Sequence, residues 1–310
     1  MIFKITNLTQ HFNFMDVRLS DAEKIFVIHG AQQGLRSDGR SNLDYRPIIL
    51  ETGVLSTTNG SARVRLGSTD LLIGIKADLI VVDDMPSYKN RLNFTVDCSA
   101  NAAPQFAGRG GEEFGIEIAS ALSAAYDNSY VLPDLKKLIV SPMHAWKLFV
   151  DIVKAALYNT EICNVVVRPG DAGKQVVDLP DDNTVWRFDI SRTPFILCVS
   201  KLGGANVMDV SLTEKACVKA TLWVGISVEP TKVDLLEVLE CYNSTALASH
   251  ERNCRITFLR QCGGGSLETD SIEGMVSCAV QTAFELQAAF NNRLMDIERD
   301  ESHALSTFLT

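Results

Sequence analysis

Arg109 stands between Gly108 and Gly110, near the end of the stretch NFTVDCSANAAPQFAGRGGEEFG, residues 93–115. Glycine on either side frees the backbone to turn sharply, and Gly111, Glu112 and Glu113 lead at once into a segment of helical period. The mouth of a helix presents backbone N–H groups and the positive end of the helix dipole, so an arginine there has the makings of an anion grip with phosphate as guest. The same residues also make an ordinary turn into a helix, with two glutamates where the dipole favours carboxylates. Catalysis asks for more than one cation: phosphoryl chemistry needs several donors preorganised around the dianion and a group that protonates or orients the leaving oxygen. Between Arg109 and Lys136 there is no basic residue.

Other charged residues stand in suggestive patterns. Arg36-Ser37-Asp38-Gly39-Arg40 reads as a turn with local arginine–aspartate pairing, followed closely by Tyr45-Arg46. Arg63 and Arg65 alternate with Ala62, Val64 and Leu66, which puts the two arginines on the polar face of a strand. Lys89 and Arg91 flank the strand that enters the opening stretch. Asp209 and Glu214 form an acidic pair, for which a solvated or structural role is expected. Gly263-Gly264-Gly265-Ser266 has the look of a nucleotide loop but lacks the lysine that follows in a P-loop, so a strand-to-helix turn is the reading, with small-molecule phosphate binding as the alternative. The eight cysteines contain no C-x-x-C and the five histidines are scattered. No metal or cofactor motif results, and the thiols are expected to be reduced and mostly buried inside a cell.

These residues have to be carried on elements, and the pattern of apolar residues names them. Residues 47–80 read as a strand meander with a turn at Gly67–Asp70, and 91–97 as a further strand. Residues 112–126 change to helical period, with Phe114, Ile118, Ala121, Leu122 and Ala125 on one face. Strands follow over 135–141 and 146–151, then a helix over 152–159. Short strands are expected at 174–179, 184–189, 194–200 and 206–211, then a helix running into a strand through residues 212–228, a strand near 256–259, and a last helix whose stripe is Ile272, Met275, Val276, Ala279, Ala283, Leu286 and Phe290. An earlier helix begins near Ser20 or Asp21. Strands, helix, strands, helix, repeated once, gives an α+β fold of two similar β/α layers packed together with a C-terminal helix. The expected division is 15–190 and 191–296, with a tail at 297–310 and a first segment, 1–14, that is disordered or comes from a misassigned start. The amino-terminal residues lack an apolar signal core and no run of 18 apolar residues occurs, so neither secretion nor a membrane helix is expected. A net charge of −9 excludes a free-standing basic nucleic-acid binder and leaves local contact or shared binding.

Four motifs in order, R-x-D-G-R at 36–40, NGSARVRLGSTDLLIGIKA, LNFTVDCSANAAPQFAGRGGEEFGIEIA and QCGGGSLETDSIEGM, closely resemble the RNase PH family, in the form borne by ring subunits of the eukaryotic exosome. The resemblance runs from about Met15 to about residue 290. Its signature residues here are Arg36, Asp38, Gly39, Arg40, Asp97, Gly108, Gly110 and Gly111. It implies a hetero-oligomeric ring of six RNase PH-like subunits around a channel for single-stranded RNA, with other ring subunits, cap subunits and separate nucleases as partners and no membrane. It implies work in 3'-5' RNA processing and degradation, ribosomal RNA maturation included, in nucleus, nucleolus and cytoplasm. Active members of the family carry further arginines along the helix after the glycine-rich loop, and a Gly-Thr/Ser-Arg loop. This chain has neither, so a non-catalytic structural and RNA-channel subunit is expected. The alternative is a phosphate-dependent 3'-5' exoribonuclease active in its own right. Arg109, Arg91, Lys89, Arg63 and Arg65 are the candidates for sequence-independent, salt-sensitive contact with an RNA backbone.

The chain departs from the family twice. A block of strand, turn and helix start is missing near 151–153, so Trp146–Val150 runs into Val153–Tyr158 with no Gly, Pro, Asn or Ser to turn the chain. At 228–252 about two dozen residues replace a tight turn, an insertion that loop entropy tolerates. Together they are expected to mark misassigned exon boundaries or a splice form.

Overall fold

The protein is described by a computed structural model over residues 19–81, 91–103, 106–109, 111–150, 154–169, 175–180, 184–229 and 254–308. The 1–14 segment, Lys89, Gly110, the shortening at 151–153 and all but the first residues of the 228–252 insertion lie outside the described residues.

The described chain divides into two compact units, one from Pro47 to Pro194 and the other joining the residues up to Arg46 with those from Phe195 onward. In the first unit the meander forms as its alternation dictates: β1 (Ile48–Thr52), β2 (Gly60–Leu66) and β3 (Thr69–Val81). Gly67, at φ 58°, makes the turn between β2 and β3. β4 (Leu92–Phe94), β5 (Ile139–Ser141) and β6 (His144–Val150) complete a six-stranded sheet, with path β1-β2-β3-β6-β4 and β5 on β6. Only the β4–β6 pairing is parallel among these strands. Helix α2 (Glu112–Tyr126) buries Phe114, Ile118, Ala121, Leu122 and Ala125, the stripe read from its period. Phe114 stacks on Phe106 at 5.7 Å, and the Tyr126 hydroxyl donates to the Pro194 carbonyl at 2.8 Å. Helix α3 (Lys154–Tyr158) is followed by two ribbons: β7 (Glu161–Cys163) pairs with β10 (Val185–Arg187), and β8 (Val166–Pro169) with β9 (Gln175–Asp178).

Residues 135–138 are not strand. Pro133–Leu138 is a 3-10 helix, and the strand begins only at Ile139. Proline at the first position suits a helix start, and Leu135 and Leu138, three apart, fall on one side of a helix with three residues per turn, where both are fully buried.

The second unit holds an antiparallel sheet of order β12-β11-β13-β14, from β11 (Phe195–Leu202), β12 (Ala205–Met208), β13 (Ala220–Val228) and β14 (Cys254–Cys262). Every residue of β13 is buried. Helix α5 (Thr269–Phe308) lays Met275, Ala279 and Ala283 against Leu197, Val199, Leu222, Val224 and Ile226. It continues through the expected boundary at 296 to Phe308.

The strand expected to reach 211 stops at Met208. Asp209 takes φ 42°, the left-handed region, among the described residues the one non-glycine to do so. Ser211 then caps α4 (Leu212–Lys215). The segment before Arg46 also belongs to this second unit. Helix α1 (Asp21–Gln32) starts at Ser20, whose hydroxyl accepts the Glu23 amide while Glu23 accepts the Ser20 amide at 2.7 Å. Ala31 packs with Leu202 and Val207, flanked by Val27, and the Asn42 carbonyl accepts the Met208 amide at 2.8 Å.

Candidate functional site

The candidate residues fall into three settings. The first is the R-x-D-G-R turn. Local pairing is only half of what it does. Arg40 does grip Asp38, at 2.6 Å, but Arg36 is carried into the second unit. Its guanidinium meets Glu214 in a two-pronged bridge, Nε to Oε1 at 2.9 Å and Nη2 to Oε2 at 2.8 Å. It also donates to the Met208 and Asp209 carbonyls at 3.2 and 3.0 Å. The Arg36 side chain is 0 % exposed and that of Glu214 2 %. Asp209 accepts from Arg40 at 2.8 Å and from Arg46 Nη2 at 2.7 Å and the Arg46 amide at 2.9 Å. Gly39, at φ 79°, supplies the bend that brings Arg36 and Arg40 to the same place.

Burial works against the Glu214 carboxylate, but Arg36 and the capping bonds of Ser211 outweigh it, and the carboxyl is held below its ordinary range. At Asp209 burial is likewise overcome by the Arg46 hydrogen bonds and the Arg46 and Arg40 charges, and again the carboxyl is lowered. The acidic pair is therefore structural, not solvated. Arginine N–H groups occupy these oxygens, and neither carboxyl is poised to hand a proton to a leaving group. Removing one partner from a buried pair of this kind costs about 3–5 kcal/mol, because the other charge stays buried.

The second setting is the glycine-flanked turn. Gly108 adopts φ 67°, which an L side chain resists. Gly111 is required for another reason: a Cβ there would lie 2.8 Å from Cys98 Cβ. Gly111 also caps α2 without any side-chain bond. Arg109 extends from this turn with its side chain 92 % exposed, in a loose ion pair 3.9 Å from Glu112. Asp97 is exposed on the strand exit. Burial, then the Asp97 charge, pushes the neighbouring Cys98 thiol up to about 11, so it stays protonated.

The third setting is the polar face of β2. Arg63 holds Asp70 two-pronged, at 3.0 and 2.6 Å, and Arg65 lies 3.8 Å from Glu51. Both arginines thus have cross-strand carboxylate partners. Arg91 does not present a surface at all. It is 7 % exposed, and its carbonyl accepts the Leu148 amide at 2.8 Å as the chain enters β4. A residue at the edge of a predicted strand reads as exposed from sequence, whereas this one is buried.

Gly263–Ser266 joins β14 to α5. Gly263 takes φ 96°, and the Gly265 amide donates to the Lys219 carbonyl at 3.2 Å. A Cβ on Gly265 would sit 2.5 Å from that oxygen. The glycines serve close packing of a strand-to-helix turn. Sequence reasoning passed over Lys154, which is 1 % exposed and donates through Nζ to the Thr193 carbonyl at 2.9 Å. Burial pulls its ammonium down to about 7. Its one signal was a lysine inside the apolar run of α3. Among the described residues no group of His, Cys, Asp and Glu has the makings of a metal site, and no helix is long and apolar enough to cross a membrane.

Residues 44–153 match the model of the 3' exoribonuclease family, domain 1, RNase PH. The chain is 27% identical to "Putative exosome complex exonuclease RRP42" of Dictyostelium discoideum, over 68% of this chain and 85% of that protein. It is also 27% identical to "Exosome complex component Rrp42" of Sulfurisphaera tokodaii, over 85% of this chain and 92% of that protein. Two solved structures share the fold. An archaeal exosome core matches with a TM-score of 0.62 at 18% identity, over 87% of this chain and 97% of that one. An Archaeoglobus fulgidus exosome with RNA bound to the active site matches with a TM-score of 0.64 at 19% identity, over 87% and 98%. The match over residues 44–153 and the fold shared with the exosome cores lead to one conclusion: the chain has an RNase PH-like fold, and residues 44–153 resemble domain 1 of the 3' exoribonuclease family.

Proposed function

We propose that the protein is a ring subunit of an exosome, supplying architecture and a stretch of RNA path to 3'-5' RNA processing without phosphorolytic turnover of its own. Ring membership draws its support from the relatives named as exosome components and from the fold shared with exosome cores. One observation carries the absence of turnover. Arg109 reaches out at the mouth of α2 with no second cation in the sequence before Lys136. A phosphate can be touched there, but the company that stabilises a transferring phosphoryl group is missing. The two carboxyls nearest to an acidic pair, Asp209 and Glu214, are committed to arginines. The partners of this reading are other RNase PH-like ring subunits, cap subunits, separate nucleases and single-stranded RNA.

Affinity purification of the tagged full-length chain, followed by mass spectrometry, tests this. Recovery of the other ring subunits in even proportion is expected, and a chain that is monodisperse and stable alone and recovers none of them contradicts it. The same reading puts the protein in nucleus, nucleolus and cytoplasm, which imaging of the tagged chain checks.

A further inference from the structure

Away from Arg109, the first unit carries a second surface in which cations and aromatic rings alternate. It is built from two segments distant in sequence, Tyr130–Leu138 and Trp186–Arg192. Leu135 and Leu138 bury one side of the 3-10 helix, which leaves Lys136 and Lys137 exposed on the other. Phe188 is buried and anchors the second segment, and Trp186 meets it edge-on at 4.9 Å with its own ring half-buried. Three contacts fasten the segments together. Lys137 Nζ lies 5.5 Å from the centre of the Trp186 ring. The Arg192 guanidinium lies 5.4 Å from the centre of the Tyr130 ring. Asp134 accepts the Asp189 amide at 2.8 Å.

We infer that this surface, Lys136 and Lys137 with Trp186, Arg192 and Tyr130, is a binding platform for single-stranded RNA. Sequence-tolerant recognition of a single strand joins cations that follow the phosphates to rings, or guanidinium planes, on which bases stack. Trp186 and the Arg192–Tyr130 pair supply stacking faces, and the adjacent lysines supply the charge. Two of the acids here are paired with cations, Asp134 with Lys137 at 2.8 Å and Glu161 with Arg187 at 2.6 Å, while the exposed Asp189 accepts the Ser191 amide at 2.9 Å. Lys136 adds positive charge beyond those pairs, on a chain whose net charge is −9. Tryptophan, tyrosine and arginine also suit a protein interface, but exposed neighbouring lysines are depleted there and are usual where phosphates are tracked. The inference rests on the ring-subunit reading for its biological setting, while RNA binding by the surface is measurable without it.

The test measures binding of a fluorescein-labelled 12-nucleotide oligoadenylate to the full-length chain by anisotropy at several salt concentrations. The same preparations are scored for co-elution with the other ring subunits. Lys136→Glu with Lys137→Glu reverses both exposed charges and also removes the Lys137 contacts with Asp134 and Trp186, so it is scored only in protein whose melting midpoint matches wild type. It should weaken binding by about tenfold or more and flatten the salt dependence by roughly 0.7 in log–log slope for each lysine. Trp186→Ala should weaken binding by roughly tenfold with the slope unchanged, in protein whose melting midpoint shows it folded. Equal affinity and slope in wild type and both variants overturns the inference. So does a lysine variant that binds RNA normally but no longer co-elutes, which would make the surface a protein contact. Failure of the wild-type chain to co-elute contradicts the ring-subunit reading instead and leaves the anisotropy result to decide this one.

Discussion

Two glycine-turn arginine motifs of this chain end in opposite circumstances. Arg36 and Arg40 are turned inward and spend their N–H groups on Glu214, Asp209, Asp38 and backbone carbonyls. Arg109 is turned outward, with a loose tie to Glu112 among the described residues. Both lie in glycine turns, and in both the glycine at positive φ is what lets the chain bend. The difference is what the bend faces. Asp209 and Glu214 are reached only across some 170 residues of sequence, and once buried they must be matched by fixed cations. Among the described residues no buried carboxylate meets Arg109. An arginine in a glycine turn therefore holds a fold together in one place and stands exposed in another, and burial separates the two cases where residue type does not.

That contrast can be broken by substitution. The largest effect is expected at the buried bridge. Arg36→Ala leaves Glu214 charged and enclosed and should cost about 3–5 kcal/mol of stability in urea or thermal unfolding. A midpoint close to wild type would mean that the pair is not buried. A pH series comes next. Asp209 and Glu214 have folded pKa values below their ordinary 3.8 and 4.5, so their contribution is complete above those ordinary values. It drains away as pH falls below them towards the lower folded values, because the unfolded chain takes up protons first. Acid unfolding should accordingly be blunted in an Arg36→Met, Glu214→Leu double variant, measured against wild type from pH 6 to pH 2. Lys154 adds a slope at the other end: with its folded value near 7, below the ordinary 10.5, stability should rise with pH between the two, and Lys154→Met should remove that rise. The smallest effect on folding belongs to Arg109→Ala. It should leave the unfolding midpoint in place while reducing the salt slope of single-strand binding by roughly 0.7. A stability loss there comparable to that of Arg36→Ala would erase the distinction.

Much of this was legible before any coordinates. The stripe Phe114, Ile118, Ala121, Leu122, Ala125 is the buried face of α2, and of the two expected starts of α1, Ser20 or Asp21, Ser20 is the cap, because both signals are local. Residues 135–138, the end of the 3-10 helix, read as strand from sequence because four residues running straight into β5 are too few to show a period. β7 and β8 were missed because three or four residues leave too little alternation to count. That residues before Arg46 pack with the second unit depends on Arg36 finding Glu214 and on Ala31 finding Leu202 and Val207, and no periodicity carries such pairings. Among the candidates for ligand contact, Arg109 is exposed as expected. Arg91 is buried at the entry to β4, a tertiary fact. The platform around Trp186 escaped notice for the same reason: its two segments lie some fifty residues apart.

The central claim is that this subunit lends structure and an RNA-facing surface but does no phosphorolysis alone. The most direct measurement is release of nucleoside diphosphates from a single-stranded RNA by the purified full-length chain with inorganic phosphate. No release above background is predicted, with the Arg109→Ala variant indistinguishable from wild type. Release by wild type that disappears in Arg109→Ala would contradict the claim, because one exposed arginine would then be working within a phosphate site.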